Sequence, residues 1–222
     1  MGFSIFDGTI LSVFLVSISV YFIKPTPLYL RLFPPYWLCA MISGLIQEYV
    51  VSQHHYNTGI ANIWTPMEFC FYYFIIREVL SGSKIRRIIL YTIPLFAIFA
   101  FTHLYFNREK IGFDPVNYTV GTIFTTVFCI CYFIELFQKS ADTSLVRQPS
   151  FWIITAIFFS AVISYPLFVM ESFMEESTHF HTEASRILFN NLGTIGDIIL
   201  IMGALLYSIG YLCRIGTSRS TL

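Results

Sequence analysis

The sequence predicts an all-α membrane protein: a polytopic bundle of seven transmembrane helices with its N-terminus outside and its C-terminus in the cytoplasm. Of the 222 residues, 56% are hydrophobic and only 12% are charged, and the mean hydropathy is +0.69. A soluble domain carries about 25% charged residues, so this chain has too few to cover a water-facing surface. The apolar runs are long and do not alternate, which favours membrane helices over membrane strands. The 13 basic residues balance the 13 acidic ones, and no nucleic-acid partner is expected.

Seven apolar segments are long enough for membrane helices, and polar or proline-containing stretches separate them. Prolines between residues 25 and 35 separate the first segment from the second. The polar, turn-forming run 52–59 separates the second from the third, in a part of the chain without Lys or Arg. The predicted helices cover about residues 5–23, 34–51, 60–80, 86–106, 115–137, 150–171 and 190–213, so residues 1–222 form a single membrane domain.

Basic residues divide unequally between the two sides of such a bundle. Ten of the 13 fall on one side: Lys24, Arg31, Arg77, Lys84, Arg86, Arg87, Lys139, Arg147, Arg214 and Arg219. The other side holds Arg108, Lys110 and Arg186. Because Lys and Arg are enriched in cytoplasmic connections, we expect the richer side in the cytoplasm and the chain in a bacterial inner membrane.

Two carboxylates lie inside the predicted helices. Glu68 falls about eight residues into the third helix and Asp197 about seven into the seventh, or roughly 12 and 10 Å at 1.5 Å per residue. A charge at that depth costs a few kcal/mol unless it faces protein or water, so both are expected to point into the bundle. Each continues a polar stripe at a spacing of three residues: Asn62, Thr65 and Glu68, and Asn191, Thr194 and Asp197.

These stripes predict a polar cavity in the outer half of the bundle, with Glu68 and Asp197 at its floor. Asn117, near the outer end of the fifth helix, is expected to join it. The cavity would bind a small polar or cationic ligand. An alternative is that the carboxyl groups only hold helices together. The 24 Phe and 14 Tyr are interpreted mostly as lipid-facing or packing residues.

Two other functions stay open at this point. The segments NIWTPME (62–68) and NLGTIGD (191–197) align with a constant offset, which would fit a 3+1+3 parallel repeat and a small-solute or ion transporter. His179 and His181, with His54 or His55 and a carboxylate, could ligate zinc in an intramembrane metal-dependent hydrolase. Loop histidines are commonly just solvated, however, and the chain contains no recognised hydrolase motif. We therefore expect no catalytic residue, no metal and no cofactor.

Several short motifs also resemble a known group of proteins. They are Asn62-Ile-Trp-Thr-Pro-Met-Glu68-Phe69, Asn117-Tyr-Thr-Val120, Tyr132-Phe133, Pro149-Ser-Phe-Trp-Ile153 and Asn191 at the start of the last helix. With them, residues 36–213 resemble a family of small seven-helix inner-membrane proteins common in Bacteroidetes-type bacteria. The family has no established activity; its members accompany sensor kinases, so the resemblance implies a signalling role.

Together these observations predict a non-enzymatic, sensor- or receptor-like membrane protein. Ligand binding in the outer cavity would move helices, and the basic loops 77–87 and 139–147 would pass the signal to a cytoplasmic or membrane partner. The lipid bilayer is the other expected partner.

Overall fold

The protein is all-helical in the computed structural model, which describes residues 5–23, 25–53, 58–107, 114–139, 145–176 and 183–219. These ranges contain no strand, as the sequence predicts. Two short 3-10 helices cover Ser19–Phe22 and Leu145–Arg147. The α-helices are α1 (Ile5–Ile18), α2 (Leu28–Arg31), α3 (Phe33–Ser52), α4 (Thr58–Val79), α5 (Ser83–Phe106), α6 (Pro115–Lys139), α7 (Pro149–Glu176) and α8 (Glu183–Arg219).

The last two helices extend further than the sequence predicts. The backbone is helical to residue 176 in α7 and again from residue 183 in α8, in a stretch expected to form a long outer loop. No proline or glycine occurs in residues 171–176 or 183–192, and good helix formers such as Glu, Ala and Leu are frequent there. The four histidines of the zinc alternative (His54, His55, His179 and His181) lie outside the described residues.

Within the described ranges, four helices are long and apolar enough to cross a membrane, which supports a membrane protein. They cover Ser83–Phe106, Pro115–Gln138, Pro149–Leu167 and Asn191–Ile215, and a shorter apolar segment covers Asp7–Phe22. Large apolar side chains also cover the outside of the bundle; for example, Leu95 and Ile98 on α5 are each 66% exposed. Such a surface is unfavourable in water and suits lipid. The full seven-span topology remains a prediction.

Six of the seven long helices form a ring. α1 packs against α3 and α8, α8 against α7, α7 against α6, and α6 against α4. The ring is closed by a small contact between α3 and α4, beside which the short α2 also contacts α4, whereas α7 and α8 form the most extensive interface. α5 lies outside the ring and packs on α4. This arrangement leaves space at the centre, on the inner faces of α3 and α4.

Glycines allow the closest helix approaches. A Cβ built at Gly210 of α8 would lie 3.0 Å from Ile153 of α7, and one at Gly203 would lie 3.1 Å from the hydroxyl of Ser160. A Cβ at Gly121 of α6 would overlap the ring of Phe69 on α4. Small residues at such crossings let membrane helices gain close van der Waals contact.

At each end of the bundle, a helix side chain accepts a hydrogen bond from the backbone of a connection between two helices. At one end, the Asp114 N–H donates to the side-chain oxygen of Asn62 at 2.8 Å. At the other, the Glu135 carboxylate accepts from the N–H groups of Ser81 and Gly82 at 2.8 and 3.1 Å. We call the first, where α4, α6 and α8 begin, the upper end, and the second, where they finish, the lower end.

Candidate ligand cavity

A cavity of about 510 Å³ lies inside the helix ring. All six ring helices line it, and α5 contributes nothing to its wall. On α8 the lining residues recur at helical spacing: 192, 193, 196, 197, 199, 200, 203, 204 and 207. The volume falls in the range of about 300–1,000 Å³ that is typical of small-molecule sites.

The cavity runs along the bundle rather than across it. Near the upper end it is lined by Thr9 of α1, Gln47 of α3, Ala61 of α4, and Leu167 and Leu192 at the α7–α8 side. Deeper, it is lined by aromatic residues: Tyr36, Trp37, Tyr72 and Tyr207. Ala61 and Tyr72 are 11 residues apart on α4, so the wall is roughly 16 Å deep.

Glu68 lies in the middle of α4 and is held at the cavity by two tyrosines. The hydroxyl of Tyr36 on α3 donates to Glu68 Oε1 at 2.7 Å, and that of Tyr72 donates to the same atom at 2.5 Å. The two hydroxyl oxygens are 3.1 Å apart. An ionised carboxylate only accepts hydrogen bonds, and two O–H donors on one oxygen suit it. Oε2 has no hydrogen-bond partner among the described residues and remains available to a guest.

Asp197 lies on the opposite side of the same cavity, on α8. It is partly buried, and its carboxylate makes no hydrogen bond within the part of the chain that the structure describes. None of the residues identified as lining the cavity is Lys, Arg or His. When Glu68 and Asp197 are ionised, two carboxylates without a basic neighbour make the cavity negative, and this field favours a cation.

Aromatic rings form a continuous wall beside Glu68. Tyr36 stacks with Trp64 at a centroid distance of 5.9 Å and contacts Trp37 edge-on at 5.0 Å. Trp37 in turn meets Tyr207 at 5.1 Å and donates its indole N–H to the hydroxyl of Tyr211 at 3.0 Å. This bond fixes α3 against α8 below the cavity. Such faces attract cations.

Tyr207 places a buried hydroxyl group at the cavity. The side chain is only 3% exposed, and its hydroxyl is buried without a hydrogen-bond partner among the described residues. Buried polar atoms are nearly always paired, so this one indicates a ligand or water at the cavity floor.

The structure brings three of the seven predicted site residues to the cavity: Glu68, Thr65 and Asp197. The Thr65 hydroxyl is already used, because it donates to the carbonyl of Ala61 at 2.9 Å. Asn191 and Thr194 are exposed on α8 and do not line the cavity.

The remaining two, Asn62 and Asn117, tie helices together instead. Asn62 accepts from the backbone before α6. Asn117 is 1% exposed, and its amide donates to the carbonyl of Ala100 on α5 at 3.1 Å. For Asn62, the spacing along α4 explains why the side chain does not face the cavity with Glu68. A step of three residues on a helix of 3.6 residues per turn falls about 60° short of a full turn. Asn62 therefore lies about 120° around α4 from Glu68.

Apart from Tyr72, the aromatic wall is not predicted by the sequence. Tyr72 is four residues after Glu68 and extends its stripe, so a local pattern marks it. Tyr36, Trp37 and Tyr207 are distant in sequence and are brought in only by tertiary packing. In the sequence they cannot be distinguished from the many aromatic residues that face lipid.

A metal centre has no support in the described part of the chain. There, no three His, Cys, Asp or Glu residues lie close enough together to hold an ion. His103 lies at the upper end of α5, where its ring nitrogen contacts the Asp114 carboxylate at 2.8 Å, away from the cavity wall.

Comparisons with known proteins add nothing to this geometry. No protein-family model matches the sequence, and searches of curated proteins and of solved structures found no match. The resemblance carried by the third-helix and sixth-helix motifs therefore stays a prediction. The function has to be argued from the cavity.

Proposed function

We propose that the protein is a receptor-like module of a bacterial inner membrane, in which a small polar or cationic ligand binds in the cavity and alters a cytoplasmic partner. The observation that carries this proposal is the cavity itself. It has the volume of a small-molecule site, two carboxylates at its wall and no basic residue among those that line it. A carboxylate that served only to hold helices together would not need about 510 Å³ of space beside it.

The proposed orientation places the upper end outside the cell. Nine of the ten basic residues in the described ranges lie at the lower end, whereas Arg186, near the start of α8, lies at the upper end; the nine are Arg31, Arg77, Lys84, Arg86, Arg87, Lys139, Arg147, Arg214 and Arg219. The positive-inside rule assigns such an end to the cytoplasm. The cavity reaches from Ala61, near the upper end of α4, to Tyr72 beyond the middle of that helix, and would then receive its ligand from outside.

Signal transfer would use the weakest interface of the ring. α3 and α4 touch over few residues, and the Tyr36–Glu68 hydrogen bond bridges them at the cavity. A ligand that binds Glu68 would change this hydrogen bond. If the ligand binds one arrangement of α3 and α4 more tightly than another, it shifts the population toward that arrangement, by an amount set by the difference in affinity. Both helices lead to the basic lower end, where Arg77 pairs with Glu78 at 2.5 Å and Arg86 lies 3.8 Å from the same carboxylate. A partner bound there would sense the shift.

A matched pair of glycine variants tests whether the cavity binds ligand. A Cβ at Gly196 meets no atom within 4 Å, so Gly196→Leu fills part of the cavity with little strain. A Cβ at Gly59, outside the cavity wall, also meets nothing, so Gly59→Leu is the control. In nanodiscs, thermal unfolding is measured with a panel of small amines, amino acids, sugars and carboxylates. We expect at least one probe to stabilise the wild type and Gly59→Leu but not Gly196→Leu. Equal stabilisation of all three proteins, or of none, would contradict the proposal.

A transporter is the second candidate, because the carboxylates of both aligned segments, Glu68 and Asp197, line one cavity. The interfaces that a 3+1+3 repeat would relate are unequal, since α7 and α8 pack extensively and α3 and α4 barely touch. Uptake of the binding probe into proteoliposomes distinguishes the two. A receptor binds without accumulation, and protein-dependent accumulation would favour the transporter.

A further inference from the structure

We infer that the ligand is a protonated amine with an apolar body, whose ammonium N–H groups donate to Glu68 Oε2 and to the Tyr207 hydroxyl. This inference rests on the proposed function, and it names the chemical class of the ligand. Three features of the cavity carry it: the sign of its charge, the surplus of hydrogen-bond acceptors and the aromatic wall.

The two acidic side chains disfavour anions and, when they are ionised, favour cations. Glu68 and Asp197 line the cavity and are accompanied there by no Lys, Arg or His among the residues identified in its wall. Bringing an anion beside two ionised carboxylates is unfavourable. A neutral ligand would leave both charges without a counter-ion.

The hydrogen-bond inventory favours a ligand that donates. The hydroxyl protons of Tyr36 and Tyr72 are both directed to Glu68 Oε1. Glu68 Oε2 and the Asp197 carboxylate are acceptors without a donor in the described residues, and the Tyr207 hydroxyl, which can accept as well as donate, is also without a partner there. A primary ammonium group has three N–H donors and no acceptor. A quaternary ammonium ion has none and would leave these oxygens unpaired.

The rest of the wall favours an apolar body on that ammonium group. Trp64, Phe69 and Tyr36 line the cavity with ring surface, and small residues in the same wall, Ala40, Gly196 and Ala204, leave room for a ligand. A simple metal ion would fill little of about 510 Å³ and would meet mostly ring faces and aliphatic carbon instead of oxygen ligands. Ring faces suit both the methylene groups and the positive charge of an amine.

Binding of four compounds that share one ring tests the inference. Benzylamine, benzyltrimethylammonium, benzyl alcohol and benzoate are titrated by calorimetry into the protein in nanodiscs. We expect benzylamine to bind most tightly. Its dissociation constant should be about tenfold lower than that of benzyltrimethylammonium, because the latter lacks N–H donors. The neutral alcohol should follow, and benzoate should not bind. A quaternary ion that binds as tightly as the amine, or an alcohol that matches it, would overturn the inference.

Two variants localise the ammonium group. Glu68→Gln keeps the size and the acceptor for both tyrosines but removes the charge, and benzylamine affinity should fall about 30-fold or more. Tyr207→Phe removes a hydroxyl that has no partner in the described residues, so the fold should be kept while benzylamine affinity falls about tenfold and benzyltrimethylammonium affinity does not. Unchanged benzylamine affinity in either folded variant would refute the assigned contact.

The same titrations separate this inference from the function on which it rests. If Gly196→Leu abolishes binding but the probes show no preference for the amine, the cavity is a ligand site and only the ligand class is wrong. If Gly196→Leu leaves every titration unchanged, the cavity is not the binding site and both proposals fail.

Discussion

The Tyr36–Glu68–Tyr72 cluster offers the sharpest test of how the cavity is charged. Two O–H groups donate to one carboxylate oxygen at 2.7 and 2.5 Å. Hydrogen bonds to a charged group contribute about 1.5–3 kcal/mol to stability, whereas bonds between membrane helices average about 0.6 kcal/mol. Tyr36→Phe removes the bond that links α3 to α4. If Glu68 is an anion, we expect the free energy of unfolding to fall by at least about 1.5 kcal/mol.

The same substitution in a Glu68→Gln background gives the comparison. The neutral amide can still accept the tyrosine hydroxyl, so Tyr36→Phe should then cost only about 0.6 kcal/mol. The difference between the two backgrounds, about 1 kcal/mol, is the coupling energy of this pair. Tyr91→Phe on α5 is the matched control, because that ring is 62% exposed and makes no hydrogen bond among the described residues. It should change nothing.

Reversible unfolding in mixed micelles, followed by tryptophan fluorescence, measures these values. Trp37 and Trp64 both contact Tyr36, so their emission reports on the cluster directly. If Tyr36→Phe costs about 0.6 kcal/mol or less in both backgrounds, Glu68 is a neutral group that only holds α3 and α4 together. An ammonium ligand would then lack its anionic partner, and the reasoning for the site would be refuted.

Other parts of the structure make three further predictions. Gly121→Ala would push a methyl group into the ring of Phe69 and should lower the free energy of unfolding by about 1–3 kcal/mol, whereas Gly59→Ala should leave thermal unfolding unchanged or improve it. Asp114 accepts from two backbone N–H groups in the first turn of α6 at 3.0 and 3.3 Å, so Asp114→Ala should cost about 0.5–2 kcal/mol and speed hydrogen exchange in that turn. Tyr207→Phe should keep or raise stability without ligand, because it removes an unpaired buried hydroxyl; a loss above about 1 kcal/mol would show that the hydroxyl is paired.

The helical fold and part of the cavity could be predicted from local sequence. Long apolar runs indicate helices because backbone groups in lipid must pair within the segment. The depth of Glu68 and Asp197 in those runs predicts that they turn inward, and the structure places both at one cavity. This argument needs only the unfavourable energy of a charge in lipid.

The remaining details of the site depend on tertiary contacts. Asn62 and Asn117 have the composition of ligand-binding residues, but each is used to join two helices. Tyr36 reaches Glu68 across 32 residues and Trp37 reaches Tyr211 across 174, distances at which no periodic pattern operates. α3 and α4 are not among the four helices that are long and apolar enough to cross a membrane, and polar residues interrupt their apolar runs; Gln47 and Glu68 among these line the cavity, whereas Glu48 and Asn62 do not.

Access to a single engineered thiol tests the central claim most directly. In a protein whose five cysteines are replaced by alanine, Gly196→Cys places a thiol in the cavity wall. A cationic, membrane-impermeant methanethiosulfonate is added to right-side-out or inverted membrane vesicles. We expect labelling in right-side-out vesicles, protection by benzylamine, and slower labelling when Glu68→Gln is added. Labelling only in inverted vesicles, or labelling that neither benzylamine nor Glu68→Gln alters, would contradict an outward-facing cation site.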